Sequence, residues 1–244
     1  MKYLKKFKTH AEYEAYKNSQ DYLTPNVSWC LDNNEVHFNK YTLPYDPFNG
    51  HEYVDLGLPS GTLWAKCNVG AETETEYGQY FQWGDTQGYT YDQIGTDKNF
   101  SWSDYKYGAY DSTDTTNYGM TKYNATDGLT TLELSDDAAH ANMGGDWTMP
   151  TKEQIEELCE LNHESITIDS IEGVQFIGTN GNKLFIPTNT QWIENIDNGI
   201  WSSSLGEDED EVMVAFTMYS YDAGETYLFS DNRHYGLNVR GVID

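Results

Sequence analysis

The stretch Tyr53 to Gly70, YVDLGLPSGTLWAKCNVG, constrains the fold of this chain most strongly. Val54, Leu56 and Leu58 alternate with Asp55 and Gly57, which is the period of a strand with one buried face. Pro59-Ser60-Gly61 is turn chemistry, because Pro presets φ and Gly tolerates positive φ. Leu63 and Trp64 open a second apolar segment that ends at Asn68-Val69-Gly70. The stretch reads as a core hairpin, and nothing in it is catalytic.

Other segments carry weaker versions of the same signals. Ser135 is a candidate N-cap for a short helix that Gly144-Gly145 stops, with Asp136 and Asp137 at its positive end. Thr151-Lys152-Glu153-Gln154 is a capping box for a second helix, in which Ile155, Leu158 and Cys159 form an apolar stripe. Asn180-Gly181 between Val174–Thr179 and Asn182–Ile186 is a type I′ hairpin signal. Tyr77–Trp83, Val212–Tyr221, Thr226–Ser230 and Leu237–Val242 read as further strands. Residues 84–128 are poor in aliphatics and rich in Gly, Tyr, Asp, Thr and Asn, the composition of a long surface excursion rather than a core; such loops are functional or mobile. One or two short helices on a twisted, loop-rich antiparallel sheet make an α+β domain over residues 51–244.

The first forty residues differ in charge and pattern. They hold six lysines against five acidic residues, so about −27 of formal charge falls on the rest of a chain whose total is −26. Thr9-His10-Ala11-Glu12 is a capping box before a helix from His10 to about Ser19, with Tyr13 and Tyr16 spaced to share a face. Val27–Leu31 and Glu35–Asn39 read as a hairpin turned by Asp32-Asn33-Asn34. A helix plus a hairpin is too small to stand alone, so residues 1–40 are expected to be an attachment or oligomerisation module. Residues 41–50, YTLPYDPFNG, read as a linker.

Charge and motif content exclude several functions. A chain of net charge −26 repels nucleic acid, whose binding needs clustered Lys and Arg. There is no G-x-S-x-G elbow, P-loop or dinucleotide fingerprint. The six histidines form no zinc spacing, and three cysteines (Cys30, Cys67, Cys159) do not make a disulfide framework. No segment approaches the eighteen apolar residues of a membrane span. MKYLKKFKTH is basic, but no apolar h-region follows, so the expectation is cytoplasmic synthesis without a secretory signal. The expectation is a protein that is not an enzyme.

Two segments are candidates for binding. The acidic run Glu207, Asp208, Glu209, Asp210 offers hard oxygen ligands suited to Ca²⁺, without the spacing of an EF-hand loop. The C-terminal stretch Tyr219 to Tyr235, YSYDAGETYLFSDNRHY, mixes rigid aromatic side chains with small polar ones, as antibody combining sites do. Trp201, Tyr219, Tyr221, Asp231, Asn232, Arg233 and Tyr235 are read as a shallow contact surface, rings taking an apolar face and polar groups fixing orientation. The competing reading packs Tyr227 and Phe229 inside.

The chain also resembles a known family. HEYVDLGLPSGTLWAKCNVGAETETEYGQYFQWGD is similar to the opening of the Fibrobacter succinogenes major paralogous domain, common in Bacteroidota and their phages and related to the formylglycine-generating-enzyme branch of the C-type lectin fold. Further similarity follows in order: Asp136-Asp137-Ala138-Ala139, then Gly144 to Thr151 (GGDWTMPT), Asn180-Gly181-Asn182 before Leu184 to Pro187, Trp201 to Ser204, and Tyr235 to Arg240. It covers about Gly50 to Asp244, with Thr148 where the family usually has Arg and Gly241 where it often has Pro. The resemblance implies a C-type lectin-like body and, by analogy with phage structural proteins, a fibre- or decoration-type virion protein, homotrimeric, that binds a host surface glycan or protein receptor. Residues 1–40 would join other virion proteins. In some phage and bacterial proteins of this fold, the C-terminal segment is a diversified ligand surface. The formylglycine-generating activity is not carried over, because it uses cysteines in the C-terminal part and here none follows Cys159. The alternative is a Bacteroidota cell-surface or periplasmic adhesin.

Overall fold

The computed structural model describes residues 4–7, 10–17, 27–30, 35–38, 46–189, 194–206, 213–220 and 225–244. The chain divides into two compact units, Met1–Asp46 and Pro47–Asp244.

In the first unit, strand β1 (Leu4–Phe7) leads to helix α1 (His10–Lys17) and then to β2 (Val27–Cys30) and β3 (Glu35–Phe38). β1 pairs with β2 in parallel, Leu4 opposite Val27, and β2 pairs with β3 antiparallel, Val27 opposite Phe38. The helix and hairpin are those read from the sequence. β1 has no sequence signal, because LKKF alternates too briefly to mark a strand. The Thr9 cap and the Asp32–Asn34 turn lie outside the described residues.

The second unit begins inside the segment read as a linker. Of that segment, 41–45 lie outside the described residues, whereas Pro47–Gly50 belong to the body. Trp147 Nε1 donates to the Phe48 carbonyl at 2.8 Å, Asn49 Nδ2 to the Met143 carbonyl at 2.6 Å, and the Phe48 ring stacks on Tyr53 at 4.4 Å.

The body is mostly β-sheet with two short α-helices among the described residues. Its strands are β4 (Tyr53–Asp55), β5 (Leu63–Ala65), β6 (Tyr80–Phe81), β7 (Asn162–Ile168), β8 (Ile171–Ile177), β9 (Lys183–Pro187), β10 (Ile196–Leu205), β11 (Val214–Ser220), β12 (Thr226–Asn232), β13 (Gly236–Asn238) and β14 (Val242–Ile243). Its helices are α2 (Ala138–Met143) and α3 (Lys152–Cys159). A five-stranded sheet has the order β12-β11-β10-β13-β6, parallel only between β10 and β13. Two three-stranded sheets have the orders β14-β5-β4 and β7-β8-β9. The opening hairpin forms as read, Val54 opposite Trp64, and the end of the chain returns to it, Val242 on the other side of Trp64.

The expected strand Leu237–Val242 divides in two. Arg240 is buried at the break and donates to Asn68 Oδ1 at 2.8 Å and to the Ala65, Lys66 and Phe185 carbonyls. That pull moves the chain from one sheet to another. Gly241, where the resembled family often has Pro, packs so closely that a Cβ would lie 2.7 Å from the Met143 sulfur.

The Asn180-Gly181 turn departs from the expected type I′ form. Asn180 keeps negative φ, and Gly181 alone is left-handed at φ 86°, with Gly181 N–H bonded to the Gly178 carbonyl at 2.9 Å. This is a type I turn closed by a glycine bulge rather than type I′. The two-residue turn with both φ positive is Asp169-Ser170, at 49° and 71°, between β7 and β8.

Helix α3 has the expected capping box of Thr151 and Gln154. Its Ile155 and Leu158 are fully buried beside Leu56, Trp64, Val174 and Phe176, and Cys159 is half-buried at the rim. Helix α2 is capped by Asp137 instead of Ser135: its carboxylate accepts from His140 N at 2.9 Å and Met149 N at 2.8 Å. Ser135 lies within a preceding 3-10 turn, Leu134–Asp136.

Residues 84–128 form almost no regular structure, yet they supply core. Phe100, Tyr105, Tyr107, Met120 and Tyr123 are buried, most of them with Trp83, Trp147 and Trp201. Composition alone suggests a surface excursion because Tyr reads as polar. Buried Tyr rings contribute apolar area, and two of the three buried hydroxyls here are bonded: Tyr105 donates to the Trp83 carbonyl at 2.8 Å and Tyr123 to Asp136 at 2.7 Å. Among the described residues, no helix is long and apolar enough to cross a membrane.

Candidate functional site

Three of the seven residues read from the sequence as a contact surface, Trp201, Tyr219 and Arg233, are buried. Trp201 is 0% exposed and donates its indole N–H to the Phe81 carbonyl at 2.8 Å. Tyr219 is 5% exposed and its hydroxyl donates to Asp231. Arg233 is 0% exposed: Nε donates to the Tyr105 hydroxyl at 2.9 Å, Nη1 to the Tyr123 carbonyl at 2.9 Å and Nη2 to the Lys122 carbonyl at 3.0 Å. Its guanidinium lies 4.8 Å from the Trp83 ring centre.

The reason is geometric. Trp201, Thr217 and Tyr219 share one face of the five-stranded sheet by their register, and all three are buried there. Arg233 turns inward after β12 and ties residues 105–123 to the sheet. Asp231, Asn232 and Tyr235 are half-buried. Tyr221 and the Ca²⁺ candidates Glu207, Asp208, Glu209 and Asp210 lie outside the described residues. Among the described residues, no three His, Cys, Asp or Glu side chains are grouped to hold a metal ion. Conversely, Tyr227 and Phe229, which one reading packs inside, are 48% and 60% exposed.

A different set of rings comes together beside Tyr235. Tyr118 and Tyr110 lie parallel at 6.5 Å, Tyr110 and Trp102 are 6.5 Å apart, Trp102 covers His234 at 4.3 Å, and His234 meets Tyr235 at 4.6 Å. Tyr110 is 48% exposed; Trp102, Tyr118 and Tyr235 are half-buried with one side against the core.

The backbone beneath this strip is held in place. Trp102 starts a 3-10 turn whose cap is Ser101, with Asp104 Oδ1 accepting from Ser101 N at 2.7 Å and Ser101 Oγ at 2.8 Å. Two limbs of chain then cross at Gly108 and Gly119. A Cβ at Gly108 would sit 2.2 Å from the Gly119 carbonyl oxygen, and one at Gly119 would sit 2.1 Å from that of Ala109. Asp111 N bonds the Tyr118 carbonyl at 3.0 Å and Thr121 N that of Tyr107 at 2.8 Å. Asp114 gathers the N–H groups of Thr116, Asn117 and Gly119 at 3.0–3.2 Å. Those N–H groups hold the Asp114 carboxyl below its usual pKa. The loop that carries Tyr110 and Tyr118 is therefore shaped before any ligand arrives.

An ionic hub fixes the base of the same loop. Asp136 accepts from Lys122 Nζ at 2.5 Å, Lys106 Nζ at 3.1 Å and the Tyr123 hydroxyl. Burial raises the Asp136 pKa, but the donors Lys122, Tyr107, Tyr123 and Lys106 outweigh it and hold the carboxyl well below the usual range. Tyr123, buried next to that carboxylate, is pushed up to about 12. His234 is lowered to about 4 by burial beneath Trp102, with Asp104 pulling weakly the other way. Gln82 Nε2 fixes the His234 carbonyl at 2.9 Å.

A separate concavity of about 400 Å³ lies between Gly50–Glu52, Cys67–Glu72 and Asn142–Met143. Burial raises the pKa of its Cys67 thiol despite Arg240 and Lys66 nearby, which disfavours the thiolate. His140 and His163 are each satisfied by a backbone carbonyl, Trp147 at 3.2 Å and Leu161 at 2.7 Å.

Chemically, the strip is a chain of neighbouring aromatic rings in which Tyr110 is the most exposed, with Asp104 and Asp111 close by in sequence. It suits the apolar face of a sugar ring or a protein side chain. Sequence reasoning misses Trp102, Tyr110 and Tyr118 because they lie in the excursion without periodicity. The signals that could have found them are the Ser101-Trp102-Ser103-Asp104 cap and the paired Tyr107-Gly108 and Tyr118-Gly119 dipeptides. Comparison with protein-family models, curated proteins and solved structures gives no match.

Proposed function

We propose that this chain is a non-enzymatic binding protein of a phage virion, with a C-type lectin-like body that engages a host surface glycan or protein receptor. The observation that carries the reading is the strip Tyr118–Tyr110–Trp102–His234–Tyr235, in which Tyr110 and Tyr118 stand on a loop whose shape is fixed by a glycine crossing and an aspartate-gathered turn. A preformed aromatic platform reduces the ordering cost of binding. The resemblance of residues 50–244 to the Fibrobacter succinogenes major paralogous domain supports the lectin-like fold and the Bacteroidota phage setting. The first unit, Met1–Asp46, is assigned to attachment to other virion proteins and to trimer formation.

The test is binding of labelled full-length protein to a panel of gut Bacteroidota cells and to immobilised glycans, with Ca²⁺ and with chelator. Strain- or glycan-selective binding that Tyr110→Ala abolishes supports the reading. Selective binding that is indifferent to Tyr110→Ala removes the strip from it. Loss of binding in chelator brings in a cation and directs attention to Glu207–Asp210.

A further inference from the structure

The five-stranded sheet ends at β12, and among the described residues no strand lies on its outer side. Soluble proteins protect such edges with charge, Pro, bulges or short strands, because an open edge templates pairing with another chain. Among the described residues, β12 uses none of these over its centre. It is seven residues long, runs in unbroken register with β11 from Val214↔Asn232 to Ser220↔Thr226, and contains neither Pro nor Lys. Tyr227 and Phe229 stand on one face of it, about half or more exposed, while Leu228 on the other face packs into the core beside α3. In a chain with net charge −26, residues 226–230 (TYLFS) carry no charge at all.

The geometry points to this edge as a homotypic interface, with β12 of one copy pairing antiparallel with β12 of a second across a two-fold axis at Leu228. Two features favour a second copy as the occupant. The first is charge: most of this surface repels another copy, and the neutral centre of β12 is a place where two copies can come within hydrogen-bonding distance. The second is register. A two-fold axis perpendicular to the sheet keeps each strand's faces, so residues that are directly opposite must share a face. Every axis centred on a residue of β12 meets that condition; the one at Leu228 is chosen because it sets Tyr227 opposite Phe229 twice and Thr226, whose hydroxyl lies 3.3 Å from His163 Nε2, opposite Ser230 twice. Four exposed rings then form one cross-strand cluster on a single face.

The same register leaves Glu225 facing Asp231 at each end. These like charges weaken pairing at low ionic strength, so association strengthens as salt screens them. That is the opposite of an interface built on salt bridges. Each exposed ring buries on the order of 100 Å². Together with one strand edge this falls short of the roughly 1,200–2,000 Å² of a stable interface, so the pairing is a weak one that forms at high protein concentration.

The proposal does not rest on the aromatic strip or on a virion role. Full-length Tyr227→Cys and Phe229→Cys proteins are mixed, oxidised mildly, and their disulfides mapped by peptide mass spectrometry, with wild type as the control for Cys30, Cys67 and Cys159. The expected product is a disulfide joining position 227 of one copy to position 229 of the other, formed faster at about 0.5 M than at about 0.05 M salt, where the screening length is several-fold longer. Phe229→Arg, at an exposed position that leaves the circular dichroism unchanged, is expected to lower the sedimentation-average mass. Absence of the 227–229 link at high protein concentration overturns the proposal, and so does an equally fast 227–227 link, which means another register. A mass unaffected by Phe229→Arg also overturns it and leaves the edge to a different protein.

Discussion

Replacement of Arg233 separates a structural role from a ligand-contact role, and the size of the effect follows from its surroundings. The guanidinium satisfies the Tyr105 hydroxyl and the Tyr123 and Lys122 carbonyls and stacks on Trp83, all in a fully buried setting. Arg233→Ala leaves those oxygens without these donors, at roughly 1–3 kcal/mol for each truly buried group, and opens a cavity between the rings. The buried cation's own desolvation cost is recovered, which offsets part of the loss. The net expectation is about 4 kcal/mol, a large share of a typical stability of about 5–15 kcal/mol. With a urea slope of about 2 kcal/mol/M, the midpoint for the body falls by about 2 M. Arg233→Met keeps most of the volume and should lose less. Urea unfolding of the full-length chain, followed by near-ultraviolet circular dichroism of the Trp-rich core, measures both. A midpoint within about 0.5 M of wild type, combined with lost cell or glycan binding, would refute the buried-anchor reasoning and return Arg233 to the ligand surface.

Other expectations follow from the same structure. Burial lowers the His234 pKa to about 4 from the 6.5 of an ordinary imidazole, so its neutral form is favoured in the fold. Its stability contribution is intact above pH 6.5 and falls as pH drops toward 4, by up to ~3 kcal/mol; His234→Gln should flatten that part of the stability–pH curve, and an unchanged slope would contradict its burial. Asp137→Ala removes the acceptor for His140 N and Met149 N and should cost about 2 kcal/mol by chemical denaturation, whereas Ser135→Ala should change stability by less than about 0.5 kcal/mol. Gly119→Ala places a Cβ against the Ala109 carbonyl at φ 84° and should lower the melting temperature and ligand binding together, because the crossing that presents Tyr110 and Tyr118 cannot close.

The opening hairpin and α3 are legible in the sequence because local chemistry decides them. Pro59-Ser60-Gly61 turns the chain wherever the strands end, and Thr151–Gln154 caps a helix whose stripe has one side to bury. The strand break at Arg240 is illegible for the opposite reason. Its acceptors, Asn68, Ala65, Lys66 and Phe185, come from remote segments, and no local pattern announces that a charged residue will be enclosed by carbonyls. Arg233 misleads in the same way: beside Asp231, Asn232 and Tyr235 it reads as adaptable surface, and only residues 105–123 folding over it make it core. The departure of Asn180-Gly181 from type I′ has a similar cause. Asn-Gly permits several turns, and the pairing of β8 with β9 selects one that needs a single left-handed residue. Residues 84–128 are misjudged because tyrosine counts as polar in composition while its ring fills the interior.

In the proposed function, the ligand meets Trp102, Tyr110, Tyr118 and Tyr235 and not the buried set around Arg233. The most direct measurement is the affinity of wild-type and Tyr110→Ala full-length protein for the cell strain or glycan that wild type binds best, with stability measured in parallel. The expected result is unchanged stability, since Tyr110 is 48% exposed, and at least a tenfold loss of affinity, equivalent to about 1.4 kcal/mol. Equal affinity of the two proteins at equal stability would contradict it.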